Sequence, residues 1–161
     1  MIFDDCDTSF GIVTNYYPGV KVLWQFDVSL VYAEIFKSKP VHGPSGGVTI
    51  HASNVTGLCF DLAASGEIKY IECVGFKFQI TDELISPKPT RQGNLVVKNP
   101  SFGCELDQPM ELDCTKDRTL LRIRLGTGPV TDVVAPSEHI LYTLSGDDLL
   151  EIWFITPNVY E

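Results

Sequence analysis

The chain has 161 residues, of which 44% are hydrophobic and 20% are charged, a balance typical of one folded domain over residues 1–161 rather than a disordered chain. Twelve basic against twenty-one acidic residues give a net charge of −9. Nucleic acid and membrane lipid are therefore disfavoured as direct partners, since both are normally bound through basic patches.

The N-terminal segment, from Met1 to Asp7, has neither the basic region nor the apolar region of a secretion signal. No window approaches the roughly 20 apolar residues that span a bilayer. We therefore expect a cytoplasmic protein. The five cysteines are an odd number without a C-x-x-C pair, which predicts reduced, mostly buried thiols rather than a disulfide framework or a structural zinc site.

Short apolar runs alternate with turn residues at intervals of roughly ten residues, which is the pattern of antiparallel strands. We predict a mainly β (β-rich α+β) fold, a single-domain antiparallel β-barrel or β-sandwich with at most one or two short helices. The first two runs, residues 10–16 and 20–26, are predicted to form a hairpin across Pro18 and Gly19, because proline presets φ and glycine accepts positive φ.

Residues 27–36 are open to two interpretations. Val31 and Ile35 fit a helical stripe, whereas Leu30 and Tyr32 fit one face of a strand. The strand is favoured because β-branched and aromatic residues dominate the segment.

The longest β run covers residues 67–80. Its alternation slips at Gly75, which predicts a bulge or a bend that carries the chain between two sheets. Residues 82–85 are predicted to add one helical turn before Pro87 ends it.

Two further elements are predicted near the C-terminus. Residues 118–125 form a strand with Leu121, Ile123 and Leu125 inward and the two arginines between them outward. Residues 139–144 and 149–156 form a hairpin, with a helix starting near Asp147 as the competing interpretation of the last element. No long internal repeat is visible.

Acidic residues concentrate in one short stretch, where the triplet Glu-Leu-Asp occurs twice. Clustered like charges cost free energy unless a cation or a basic partner neutralises them. Calcium is the alternative to a protein, but the spacing of an EF-hand is missing, and a solvated loop remains the plainest interpretation. We predict that a basic protein partner binds the five carboxylates of this stretch: Glu105, Asp107, Glu111, Asp113 and Asp117.

Signals for catalysis and cofactors are weak. His42, His51 and His139 belong to no metal-binding motif, and no serine or cysteine lies in a nucleophile motif. Glycines 126 and 128 are followed by Pro129, so they indicate a turn rather than a dinucleotide site. We predict no catalytic residue, no metal and no cofactor.

In its size, acidic charge, β composition and the carboxylate stretch from Glu105 to Asp117, the chain resembles the immunity proteins that bacteria carry against contact-dependent and other polymorphic toxins. The resemblance implies a protein that binds a cognate toxin domain, often a basic nuclease, and blocks it. A β-barrel that binds a small molecule is the main alternative, and a small hydrolase with His51 or His139 as general base is a further one.

Overall fold

A computed structural model describes residues 9–37, 47–52, 55–75, 77–98 and 104–160. Over these residues the fold is mainly β, as predicted, with a single 3₁₀ turn at Phe26–Val28. None of them forms a helix that is both long and apolar enough to cross a bilayer. The strands are β1 (Phe10–Val13), β2 (Val22–Gln25), β3 (Leu30–Glu34), β4 (Gly47–Ala52), β5 (Val55–Leu62), β6 (Ile68–Val74), β7 (Gln79–Ile80), β8 (Arg91–Gln92), β9 (Asn94–Val97), β10 (Cys104–Asp107), β11 (Glu111–Cys114), β12 (Leu120–Arg124), β13 (Asp132–Ser137), β14 (Ile140–Ser145), β15 (Asp148–Ile155) and β16 (Asn158–Tyr160).

The strands form two seven-stranded sheets and one small pair. The first sheet has the order β10-β4-β5-β6-β3-β2-β16, the second has the order β7-β11-β12-β15-β14-β13-β8, and β1 pairs with β9. One apolar core is shared by both large sheets, with Trp24 and Phe60 from the first and Leu121, Tyr142 and Phe154 from the second. Of the two predicted architectures, the structure is the sandwich, and the sheets do not close into a barrel.

The predicted hairpin of residues 10–16 and 20–26 is wrong. Strand β1 pairs with β9, and β2 pairs with β3 and β16. The turn at Pro18 and Gly19 instead moves the chain from the small pair to the first sheet, where Val22 and Trp24 are buried. The predicted turn at Pro18 and Gly19 is confirmed, but the pairing partner of β1 is far away in the sequence.

Two predictions for the middle of the chain are confirmed. Residues 27–36 contain the strand β3, and the run of residues 67–80 divides into β6 of the first sheet and β7 of the second. Gly75, with φ of 66°, lies where the chain leaves β6. The helical turn predicted for residues 82–85 is absent: residues 82 and 83 lie in a turn, and residues 84 and 85 have no regular structure.

The C-terminal predictions are confirmed. Strands β14 and β15 form the expected hairpin. Along β12, Leu121 and Ile123 are buried and the two arginines between and beyond them point outward. Phe154 lies in the core, while Trp153 is buried on the opposite side of the sheet. The thiols of Cys59, Cys73 and Cys114 are free, the latter two buried.

The two halves of the chain repeat one another, which the sequence did not reveal. Strands β2 to β6 are ordered as β11 to β15 are: a hairpin whose second strand pairs with the last strand of a three-stranded meander. The registers agree as well. The pair Trp24↔Val31 corresponds to Cys114↔Leu121, and likewise Val31↔Cys73 to Leu121↔Phe154, Ala33↔Ile71 to Ile123↔Ile152 and Phe60↔Ile71 to Tyr142↔Ile152.

Irregularities of the sheets recur at equivalent positions too. Each meander has a bulge, at Lys69 in the first half and at Leu150 in the second. The bulge carbonyl accepts a backbone hydrogen bond from Ile35 (2.8 Å) in one half and from Leu125 (2.7 Å) in the other. Because bulges are specific local devices, this agreement shows that both halves are versions of one β unit.

The last strand of each half leaves its own sheet. Strand β7 adds in parallel to β11 of the second sheet, and β16 adds in parallel to β2 of the first. Each half therefore completes the sheet of the other, and the sandwich is interlocked.

Candidate functional site

The structure divides the five predicted carboxylates between the two sheets. Glu105 and Asp107 belong to β10, the edge strand of the first sheet, where Asp107 is exposed and only the backbone of Glu105 is described. Glu111 and Asp113 belong to β11 of the second sheet, and Asp117 lies in the turn that follows. The predicted stretch therefore does not form one surface.

Glu111 and Asp113 are held by arginines of this chain. The antiparallel register of β11 and β12 sets Asp113 opposite Arg122 and Glu111 opposite Arg124. Arg122 Nε lies 3.1 Å from an Asp113 carboxylate oxygen, and Arg124 Nη1 lies 3.1 Å from Glu111. Glu151 of β15 joins both arginines, at 3.6 and 3.7 Å. We call these five residues the arginine network.

Part of the arginine network is shielded from water. The side chains of Asp113, Arg122 and Glu151 are only 12%, 17% and 18% exposed. Arg122 lies 5.5 Å from the centre of the Trp153 ring, and Trp153 packs with Leu84 of the segment between β7 and β8. The carboxylates of this outer face are thus ion-paired within the chain, and the face is partly covered.

Asp117 shapes its own turn. Its carboxylate accepts hydrogen bonds from the backbone N–H (3.2 Å) and hydroxyl (2.8 Å) of Thr119. Hydrogen bonds from Thr115 and Thr119 lower the pKa of Asp117. The role visible for this residue is to stabilise the β11–β12 turn.

The outer face of the first sheet has a different character. Side chains alternate along strands, so burial of Val31 and Ala33 turns the residues between and beyond them outward. In one row Glu72 lies between Cys59 and Tyr32, and in the next row Tyr70 lies between Asp61 and Glu34. We call this surface the tyrosine–carboxylate face: Tyr32, Glu34, Asp61, Tyr70 and Glu72.

Solvent reaches the tyrosine–carboxylate face. Glu34 and Asp61 are exposed, and the other three side chains are partly exposed. The Tyr32 and Tyr70 rings lie 6.3 Å apart, and the Tyr70 hydroxyl donates a hydrogen bond of 3.1 Å to Glu72. Burial raises the pKa of Tyr70, and the nearby carboxylates of Glu72 and Asp61 raise it further.

Two lysines, Lys37 and Lys69, border this face. Lys37 reaches Glu34 at 4.0 Å, with both side chains more than half exposed. Asp61 and Glu72 form no ion pair with any residue that the structure describes. A groove of about 400 Å³ borders the face, lined by Glu34, Phe36, Lys37, Asp61, Lys69 and Tyr70.

One buried carboxylate ties the layers together. Glu67, which is 7% exposed, accepts hydrogen bonds from Tyr17 (2.6 Å), Asn15 (2.9 Å) and Asn94 (2.9 Å). Burial and the Glu67 carboxylate raise the pKa of Tyr17 to about 12. Since several donors satisfy both carboxylate oxygens, this cluster holds the N-terminal segment against β9.

Of the three histidines, only the side chain of His139 lies within the described residues. His139 Nδ1 lies 2.9 Å from the Ile155 carbonyl and 2.9 Å from the Thr156 hydroxyl. A carbonyl can only accept, so a hydrogen bond to Ile155 requires the tautomer with the proton on Nδ1, and this contact ties the ring to the backbone. His42 and the side chain of His51 lie outside the described residues.

No protein-family model and no curated protein sequence matches the chain. The tyrosine–carboxylate face was not predicted from the sequence, because its acidic residues come from three separate strands. The signal that would have found it is alternation: Tyr32 and Glu34, like Tyr70 and Glu72, are two residues apart in neighbouring strands.

Proposed function

We propose that the chain is a protein-binding domain that receives a basic protein on the tyrosine–carboxylate face. The contrast between the two outer faces carries the proposal. Three carboxylates on the second sheet form ion pairs with two arginines of the chain itself. On the first sheet, by contrast, Glu34 and Asp61 are exposed, Glu72 is partly exposed, and Lys37 is the ion partner seen. Charge complementarity would speed encounter with a positively charged surface.

The resemblance to immunity proteins leads us to propose that the partner is a cognate toxin domain, best sought among basic nucleases, and that binding takes place in the cytoplasm. Tyr32 and Tyr70 would supply the anchoring contacts, because tyrosine combines a large apolar ring with a polar end and is enriched among residues that dominate interface affinity. Once bound, this chain would cover the basic surface with which the toxin binds its substrate.

The proposal is tested by coexpression with the protein encoded in the neighbouring reading frame. That protein alone should arrest growth, and coexpression of this chain should restore it. The triple variant Glu34→Gln, Asp61→Asn, Glu72→Gln should restore growth poorly. A matched variant that removes the same charge elsewhere, Asp82→Asn, Glu83→Gln, Asp148→Asn, should behave like the native chain.

Association kinetics with the same protein provide the second measurement. The association rate should fall by one or more decades between low and high salt. Absence of growth recovery by the native chain contradicts the immunity function, and equal recovery by both triple variants removes the tyrosine–carboxylate face from it.

A further inference from the structure

The internal repeat allows the two outer faces to be compared position by position. Tyr32 of β3 occupies the register position of Arg122 in β12, and Glu34 occupies that of Arg124. On the neighbouring strand, Glu72 takes the place of Trp153. The two faces therefore share their backbone frame, while the arginines are present on one alone.

The second sheet shows how this frame holds a guanidinium group. Arg122 lies between the carboxylates of Asp113 and Glu151 and beside the ring of Trp153. Carboxylates on two neighbouring strands and an aromatic ring thus surround one planar cation. Arginine suits such a place because its guanidinium donates in a fixed plane and stacks on rings, which an ammonium group cannot reproduce.

The first sheet presents the same two ingredients without a guanidinium among the residues described. Two tyrosine rings lie 6.3 Å apart, and Glu72 and Asp61 flank them on neighbouring strands. Arg91, the one arginine in the first hundred residues, is paired with Asp132 on the second sheet.

Resting on the proposed function, we infer that the basic partner is recognised through arginine rather than lysine side chains. A partner arginine lies against the Tyr32 and Tyr70 rings and donates to Glu72 and Asp61, which reproduces between two proteins the arrangement of Arg122 within this one. The tyrosine rings select arginine, and the carboxylates supply the attraction for any cation.

The test uses the full chain with two blocked peptides, hexa-arginine and hexa-lysine, titrated by calorimetry at moderate salt. Hexa-arginine should bind about tenfold more tightly than hexa-lysine. The variant Tyr32→Leu, Tyr70→Leu keeps apolar bulk on the sheet and should reduce this ratio to near one. The variant Asp82→Asn, Glu83→Gln, Asp148→Asn serves as the control and should leave the ratio unchanged.

A second variant places an arginine on the face itself. Tyr32→Arg copies the second sheet and sets an internal guanidinium beside Glu72. It should lower the affinity for hexa-arginine at least fivefold while the circular dichroism spectrum stays native. Should Tyr32→Arg fail to fold, Glu72→Gln gives the same readout, with the larger loss expected for hexa-arginine.

The outcomes separate the inference from the proposed function. Equal binding of the two peptides, or an unchanged ratio in the tyrosine variant, overturns arginine recognition and leaves a partner bound by charge alone. Absence of binding by either peptide also overturns the inference. The proposed function fails separately, when growth recovery and partner binding do not respond to loss of Glu34, Asp61 and Glu72.

Discussion

On the second sheet Arg122 joins two carboxylates and lies beside an indole ring, whereas the equivalent position of the first sheet holds Tyr32, which is partly exposed. The two halves agree in strand order, register and bulge, so the backbone does not cause this difference. What the comparison teaches is that the inner faces maintain one fold, while the outer faces differ in composition: one carries ion pairs, and the other presents the tyrosines and carboxylates that we propose as a binding surface.

The largest expected effect comes from removing the centre of the arginine network. Arg122→Met should lower the free energy of unfolding by about 3 kcal/mol, because it leaves the shielded carboxylates of Asp113 and Glu151 without their main partner. The equivalent change on the first sheet, Tyr32→Leu, should cost less than about 1 kcal/mol. Urea denaturation of both variants makes the comparison, and equal losses would show that the network does not stabilise the second sheet.

A second prediction concerns the cores of both sheets. Burial raises the pKa of the Cys73 thiol, in β6, to about 12 and that of Cys114, in β11, to about 11. Thiols in the unfolded chain lose their protons near pH 9, so the folded state holds more protons above that pH and stability falls as the pH rises. We expect a loss of about 2 kcal/mol between pH 8 and pH 10.

Cysteine variants apportion this alkaline loss between the sheets. Cys73→Ala and Cys114→Ala should each flatten the dependence of the unfolding free energy on pH, whatever their effect at pH 7. The slope measured by urea denaturation is the readout. A slope that neither variant changes would assign the alkaline loss to other groups.

The residues that directly follow β6 and β15 provide a third comparison, with a smaller expected effect on stability. Gly75 (φ 66°) and Thr156 (φ 46°) occupy equivalent positions, and their N–H groups donate to the carbonyls of Ser29 and Thr119. Gly75→Thr should cost at least about 1 kcal/mol, since a β-branched residue is strained at positive φ. Thr156→Gly should change stability by less than about 0.5 kcal/mol, because relief of strain offsets the lost hydrogen bond to His139. Thermal unfolding of both variants makes the comparison. Equal losses of stability would contradict this difference between Gly75 and Thr156.

Short-range patterns in the sequence predicted the strands well and their partners poorly. Alternation located β12, and the turn before Asp148 located the C-terminal hairpin. No local pattern in the sequence indicates that β1 pairs with β9. The two repeats have few identical residues: Asp27 and Leu30 recur as Asp117 and Leu120, while most equivalent positions share only burial.

The candidate site was harder to predict because counting acids ignores register. We predicted that Glu111 and Asp113 bind a basic partner protein. The hairpin that turns at Asp117 instead sets them opposite Arg124 and Arg122 of the same chain. An antiparallel alignment of these two predicted strands places each carboxylate opposite an arginine. The exposed carboxylates of the first sheet are dispersed over three strands, so no window of the sequence contains them.

The smallest expected effect falls on the carboxylates of the first sheet. Glu34→Gln, Asp61→Asn and Glu72→Gln together should change the free energy of unfolding by less than about 0.5 kcal/mol, because the Glu34–Lys37 pair is exposed and removal of like charges relieves repulsion. Urea denaturation beside Arg122→Met gives the contrast. A loss above about 1 kcal/mol would mean that these carboxylates maintain the fold, and weaker binding by the triple variant would then no longer identify an interface.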